Sequence, residues 1–242
     1  MCGRYASTRS ATDLAALFEA ADDTGGELEP GFNLAPTRSV PIVRVSKSLE
    51  SRAVSLARWG LVPRWAKDTA IGNRMFNARS ETVTTSNAFK NAFKRRRCLV
   101  PADGWYEWQK LADGSKQPFY MTYDDGEPLV FAGLWETWGE GPLMSTTVLT
   151  TDAHGGLEGI HDRMPLVLSP DRWADWLGES DDAESLLLPP SLEVIAAIEA
   201  RPVGKAVGNV RNDGAFLTER VEPVGVRGVE PPVEQDGAPT LF

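Results

Sequence analysis

The sequence is poor in several residues that commonly announce a function. Its 242 residues include two cysteines, Cys2 and Cys98, and two histidines, His154 and His161. Two thiols cannot staple a chain of this length, so a disulfide scaffold is excluded and a reducing compartment, the cytoplasm, is expected. The four residues lack metal-ligand spacing, so no metal is expected, and nothing in the chain suggests another cofactor. No run of about 18 apolar residues occurs, so no membrane span is expected. The opening MCGRYASTRS has none of the apolar core of an export signal. No internal repeat occurs. The chain also lacks positive charge: its net charge is −9, which on its own argues against a nucleic-acid partner.

The distribution of charge says otherwise. Between Arg58 and Arg97 stand ten basic residues and only two acidic ones, Asp68 and Glu81, a local +8 that leaves −17 on the remainder of the chain. Salt screens charges beyond roughly 8–10 Å, so a polyanion responds to the local surface and not to the total. The run Lys94 to Arg97 by itself reads as cations favoured at a helix C-terminus.

The 42% hydrophobic content suffices for one domain of the larger kind. Ser10 and Asp13 open a first helix with Leu14, Leu17 and Phe18 on one face. Ser86 caps a second, with Phe89 and Phe93 four apart. Ser169, Pro170 and Gly178 bracket a short one, and a last runs over 192–200. Strands are expected over 40–45, 53–59, 98–101, 104–108, 119–123, 129–134, 146–150 and 164–168. The pattern predicts an α+β fold: a single domain over 1–221 with a mainly antiparallel, barrel-like β core and peripheral helices. From Glu222 to Phe242 the composition turns to Pro, Gly, Val and acid without periodicity, a tail expected to be disordered.

The chemistry begins at Cys2. Initiator methionine is normally removed before a small second residue. Cys2 would then carry a free α-amine, with a reference pKa of about 7.7–8.0, beside a thiol of about 8.5. Such a 1,2-aminothiol condenses with an aldehyde to an imine and closes a thiazolidine. A second-position cysteine alone proves little, but three polar segments embedded in extended runs accompany it. Asn77 and Arg79 are two apart, on one face of a strand. Glu107 stands among Trp105, Tyr106 and Trp108, where desolvation would raise its pKa towards that of an acid–base group. His161 and Arg163 share a face if that stretch is extended. Cys98 reads as a buried, inert strand cysteine, and His154 as a turn residue.

These segments, with others, carry a resemblance. MCGRYA (1–6), GFNLAPT (31–37), RWGLVPRWAKD (58–68), MFNARSET (75–82), RRCLVPADGWYEW (96–108), VLTTDA (148–153), IHDRMPLVL (160–168) and KAVGNVRNDG (205–214) occur in the order found in the SRAP family, the SOS-response-associated peptidase-like proteins that process abasic sites. The resemblance covers residues 1 to about 221. It implies that Cys2 crosslinks to the ring-opened deoxyribose, that Asn77 orients the N-terminal amine, and that Glu107 transfers protons. It implies that His161 is a second acid–base near the sugar. Arg4, Arg79 and Arg163 would clamp phosphates flanking the lesion, a role suited to the planar guanidinium fork. Thr150 would line the pocket, and Trp65 and Pro36 would border the DNA, with Trp65 able to stack on a base. The implied partner is single-stranded DNA containing an abasic site, bound by a monomer that is cytoplasmic, or nucleoid-associated on DNA. The resemblance also implies peptidase activity, including removal of its own Met1, for which an aminopeptidase is the alternative; and an imine at an abasic site can undergo β-elimination, a lyase side activity.

Two other classes fit parts of the sequence. Class II glutamine amidotransferases also begin Met-Cys-Gly, but their His-Thr-Arg and Asn-Gly-Asp segments do not occur here. A non-catalytic DNA-binding module would rely on the basic stretch alone and leave Cys2 incidental.

Overall fold

A computed structural model describes residues 2–140, 143–179 and 184–223. The expected tail lies outside the described residues apart from Glu222 and Pro223. In chain order the elements are β1 (Tyr5–Ser7), α1 (Ala11–Phe18), β2 (Ala21–Asp23), β3 (Gly31–Leu34), β4 (Ser39–Ser46), β5 (Ser51–Trp59), β6 (Asn77–Arg79) and α2 (Lys90–Arg95). They continue with β7 (Arg97–Ala102), β8 (Gly104–Lys110), β9 (Lys116–Tyr123), β10 (Leu129–Trp138), β11 (Leu143–Asp152), β12 (Arg163–Pro165), α3 (Leu192–Ala196) and β13 (Ile198–Pro202). Among the described residues no helix is long and apolar enough to cross a membrane.

Strands β5, β4, β7, β10 and β11 pair antiparallel in turn, and β11 returns to β5 in parallel, Ser145 opposite Arg58 and Thr146 opposite Trp59. This closes a five-stranded barrel, the mixed α+β architecture expected from the pattern. Closure removes the free edges that an open sheet would expose. One edge of β11 is used twice. Gly60 N–H donates to the Thr146 carbonyl, then Val148 N–H donates to Phe76 and Ser80 N–H donates to Thr150. β5 and β6 therefore lie in series along β11, and residues 60–76 loop out between them.

A second sheet, in the order β13-β9-β8-β1-β3, shares one apolar cluster with the barrel. Tyr5 of β1 meets Trp59 edge-on at 5.0 Å and Phe131 at 6.1 Å, and Trp105 of β8 meets Phe131 at 5.9 Å. The opposite face of the barrel strands, carrying Val43, Val54, Leu99 and Leu134, packs with Leu14 and Phe18 of α1, Phe93 of α2 and Trp176. α1 opens with a reciprocal capping box between Ser10 and Asp13, as the sequence predicts.

Four expectations change. Ser86 does not cap α2 with its side chain; Phe89 is the N-cap, and Ser86 supplies its carbonyl to the N–H groups of Phe89 and Lys90. The strand expected over 164–168 pairs with β11 only to Pro165; beyond it Leu166 N–H still donates to the Leu149 carbonyl, and 166–168 cross to β10, with Leu168 N–H on the Val130 carbonyl and Val167 bridged to Phe131. The stretch from Pro170 to Gly178 forms two short turns, Pro170–Arg172 and Asp175–Glu179, and not one helix. The helix expected to reach Ala200 ends at Ala196, because Ile198–Pro202 pairs with β9. Sheet pairing there overrides a weak helical propensity.

Two glycines set close approaches. At Gly60, φ is +127° and a Cβ would lie 2.4 Å from the Gly72 carbonyl oxygen. At Gly104 a Cβ would lie 2.4 Å from the Met121 carbonyl oxygen, across the β8–β9 pair. Gly60→Ala should therefore cost about 1–3 kcal/mol, combining backbone strain with a steric clash. The urea midpoint measures it, and an unchanged midpoint would show that the 60–76 loop yields freely.

Candidate active site

Cys2 is fully buried in the cluster between the two sheets. Its carbonyl accepts a 2.7 Å hydrogen bond from Asn77 Nδ2. Two residues on, Arg4 Nη1 donates to Asn33 Oδ1 at 2.8 Å and to the Val207 carbonyl at 2.7 Å, while the guanidinium lies 5.8 Å over the Trp108 ring. The Asn33 amide in turn donates towards the carbonyls of Val207, Asn209 and Asn212. The N-terminal arm is thus seated at both ends: Cys2 by β6, Arg4 by β3 and the 207–212 turn. Burial pushes the Cys2 thiol well above its ordinary pKa, with the Glu107 carboxylate adding to the effect.

Glu107 projects from β8 on the same face as Trp105, as alternation predicts, opposite Phe119 of β9. Its side chain is almost wholly enclosed, with 3% of the residue exposed. Burial raises its pKa to about 7, and the positive chain terminus opposes the shift. His161 Nε2 lies 3.9 Å from Glu107 Oε2. The expected side-by-side placement of His161 and Arg163 does not form, because the chain is not a strand at 161–162. Instead Arg163 N–H donates to His161 Nδ1 at 3.0 Å. That bond uses a lone pair on Nδ1 and favours a ring proton on Nε2, which faces Glu107, whereas the Asp162 carboxylate favours a proton on Nδ1. Asp162 Oδ1, 2.8 Å from the same Nδ1, favours the charged ring, but burial is the larger effect and holds the His161 pKa below its ordinary value.

β6 runs parallel to β11 with Asn77 opposite Val148 and Arg79 opposite Thr150. Ala78 is buried between them, so Asn77 and Arg79 do share the other face. Asn77 Oδ1 is buried and accepts no hydrogen bond among the described residues. Arg79 is exposed and makes no hydrogen bond or ion pair among the described residues. Arg163 is different. Its guanidinium, 11% exposed, is gripped by Glu81 at 2.6 and 3.0 Å, by Asp152 at 2.6 Å and by the Thr150 carbonyl at 2.6 Å, with Thr150 Oγ1 at 3.3 Å. Trp65 is 59% exposed, which excludes a core role, and its loop is pinned by Trp138 Nε1 donating to the Ala66 carbonyl at 2.8 Å. Pro36 is half-buried in the turn after β3.

Comparison with known proteins gives the family of the chain. The family described as SOS response associated peptidase (SRAP) matches residues 1–210. This chain belongs to the SRAP family. Among its relatives, the abasic site processing protein YoaM of Bacillus subtilis is 35% identical over 90% of this chain and 98% of that protein. The abasic site processing protein YedK of Escherichia coli is 34% identical over 91% and 100%. The abasic site processing protein HMCES of Xenopus tropicalis is 30% identical over 88% and 76%. A crystal structure of a Bacteroides thetaiotaomicron protein superposes with a TM-score of 0.79 at 22% identity, covering 91% of this chain and 100% of that one, a likeness of fold.

Within this SRAP chain, Cys2, Asn77, Glu107 and His161 come together where β1, β6, β8 and the loop before β12 meet. Cys98 faces the same cluster but is inert: burial pushes its thiol up to about 12, and its sulfur lies 3.6 Å from Thr146 Oγ1. His154 precedes a turn at Gly155–Gly159, as expected. Sequence reasoning missed Asn33, Glu81 and Asp152. Each lies inside one of the short motifs quoted above, so a signal existed, but their partners are distant in the chain. Between the ordinary pKa of 4.5 and the folded value of about 7, the native state holds a proton that the unfolded chain has released. Stability therefore falls as pH rises through that window. Glu107→Gln should be more stable than wild type at pH 8, by roughly 3 kcal/mol at most, with the gain vanishing near pH 4. Chemical denaturation at the two pH values tests this; a gain independent of pH would place its cause elsewhere.

Proposed function

We propose that this protein processes abasic sites in single-stranded DNA and that Cys2, freed by removal of Met1, is its covalent arm. The observation that carries the reading is the convergence of Cys2 with Asn77, Glu107 and His161 in one enclosed site. The relatives' names, abasic site processing protein, support the substrate class.

The chemistry follows from the groups present. Asn77 holds the Cys2 carbonyl through Nδ2, and its buried Oδ1, which accepts no hydrogen bond among the described residues, serves as acceptor for the freed amine. The amine attacks the sugar aldehyde, a C–N bond forms and the carbonyl oxygen leaves as water. Glu107, half protonated near neutral pH, donates the proton that makes water the leaving group. The buried, protonated thiol then adds across the C=N bond: a C–S bond forms, and the S–H proton passes to nitrogen by way of Glu107. His161, with its Nε2 towards Glu107, serves ring opening of the sugar and the reverse reaction. The same groups can assist β-elimination at the imine, a lyase side activity, and hydrolysis of the Met1–Cys2 bond. The adduct would shield the lesion during the response to DNA damage.

Arg79 is the open phosphate contact, and Trp65 and Pro36 border the strand. Arg4 serves by seating the arm on Val207 and Asn33. Arg163 can meet a phosphate only by releasing a carboxylate, since Glu81 and Asp152 hold it.

On a denaturing gel, wild type incubated with a single-stranded oligonucleotide bearing one abasic site should give a shifted band, and Cys2→Ala none. Glu107→Gln should slow the reaction about 100-fold or more, and Asn77→Ala should slow it as well. Equal bands for wild type and Cys2→Ala would sink the mechanism.

Binding to undamaged single strands separates the arginines. Arg79→Ala should weaken it and lower the salt slope by about one contact. Asp152→Asn should strengthen it by removing one of the two carboxylates that hold Arg163. Opposite signs in a titration at low salt would remove both residues from the DNA surface.

A further inference from the structure

A second basic feature lies outside the site. Lys94 and Arg95, at the end of α2, line a cavity of about 350 Å³ together with Arg97, Trp135 and Gly178, and no acidic residue lines it among the described residues. That volume falls in the range of small-ligand sites. Arg97 is fixed there: Nε donates to the Trp176 carbonyl, Nη1 to Phe93, and the guanidinium rests 5.9 Å from both rings. A Cβ at Gly178, where φ is +119°, would sit 3.6 Å from Arg97 Nη2, so the missing side chain leaves that edge of the guanidinium uncovered.

The helix-end reading does not account for all three cations. Arg97 already satisfies the Phe93 carbonyl. Lys94 and Arg95 are exposed and make no hydrogen bond or ion pair among the described residues. The cavity is also separate from the site around Cys2. Cys98 and Val100 of β7 face the cluster that holds Cys2, whereas Arg97 points with Leu99 to the opposite face.

We propose that this cavity is a phosphate-binding site, filled by a backbone phosphate of the DNA strand flanking the lesion. Three convergent cations, one of them preset, suit a phosphate. All three belong to the basic segment 58–97, in a chain otherwise acidic enough to repel a polyanion. The choice of DNA as the source rests on the function proposed above; the phosphate chemistry does not.

The test uses the full chain carrying Lys94→Glu with Arg95→Glu, both solvent-facing, and a charge-matched control, Lys47→Glu with Lys110→Glu. Affinity is measured by fluorescence anisotropy for abasic oligonucleotides of increasing length, and inorganic phosphate binding by calorimetry. Crosslink yield at saturating DNA is followed in parallel. Wild type and the control should bind longer strands more tightly. The double variant should lose that gain, about ten-fold, and lower the salt slope by about two, with its crosslink yield unchanged. Phosphate binding that the double variant loses, without any dependence on strand length, would keep the site and make free phosphate its occupant. Unchanged affinity for both probes would overturn the proposal. So would a fall in stability with unchanged affinity, which would assign the cations to pairing within the chain. A wild type that forms no crosslink would refute the abasic-site function, while the phosphate titration would still decide the cavity.

Discussion

The pairing of β5 with β11 is the constraint on which the site depends. A five-stranded barrel closes only if β11 offers its free edge to β5, and that edge is longer than β5 can use. The surplus is taken by β6, which brings Asn77 to the carbonyl of Cys2 and sets Arg79 beside Thr150. The loop that must travel from one to the other carries Trp65 at its exposed tip. One topological requirement therefore places an anchor for Cys2 and a cation on β6, and an exposed aromatic ring on the loop that leads to it. Gly60 marks the point where the chain turns out of the barrel, in a conformation that a side chain would strain.

The second constraint is electrostatic. The enclosed carboxyl of Glu107 is costly to ionise, and the same enclosure brings its pKa to about 7, where it can both give and take a proton. The neighbouring His161 is tuned the other way, its pKa lowered towards the neutral form, by burial and by the positive chain terminus. Arg163 is immobilised in turn by Glu81 from beyond β6 and Asp152 at the end of β11. Glu107 and His161 are thus tied to the barrel through a chain of polar contacts that reaches the end of the strand on which the barrel closes.

Much of this was legible in the sequence where the signal is local. The longer strands follow from their β-branched and aromatic runs, the cap of α1 from Ser10 and Asp13, and the burial of Glu107 from its aromatic neighbours. The shared face of Asn77 and Arg79 follows from their spacing. Less legible were elements whose stability comes from a partner far along the chain. β1, β3 and β13 are three to five residues each and exist because β8 and β9 pair with or beside them. The grip on Arg163 spans 82 residues to Glu81, and no periodicity announces it. The same holds for Asn33, which meets three backbone carbonyls that carry no residue-specific mark. The site residues themselves were reached through family resemblance more than through composition.

The hydrogen bond from Arg4 to Val207 joins positions 203 residues apart. Synthesis proceeds from the N-terminus, so the residue that seats the reactive arm is among the last of the fold to leave the ribosome. Through most of translation Cys2 has its neighbours in sequence but not its seat. Arg4 gains its carbonyl partner only when the turn at 207–212 arrives, which makes full seating of the N-terminal arm a late event.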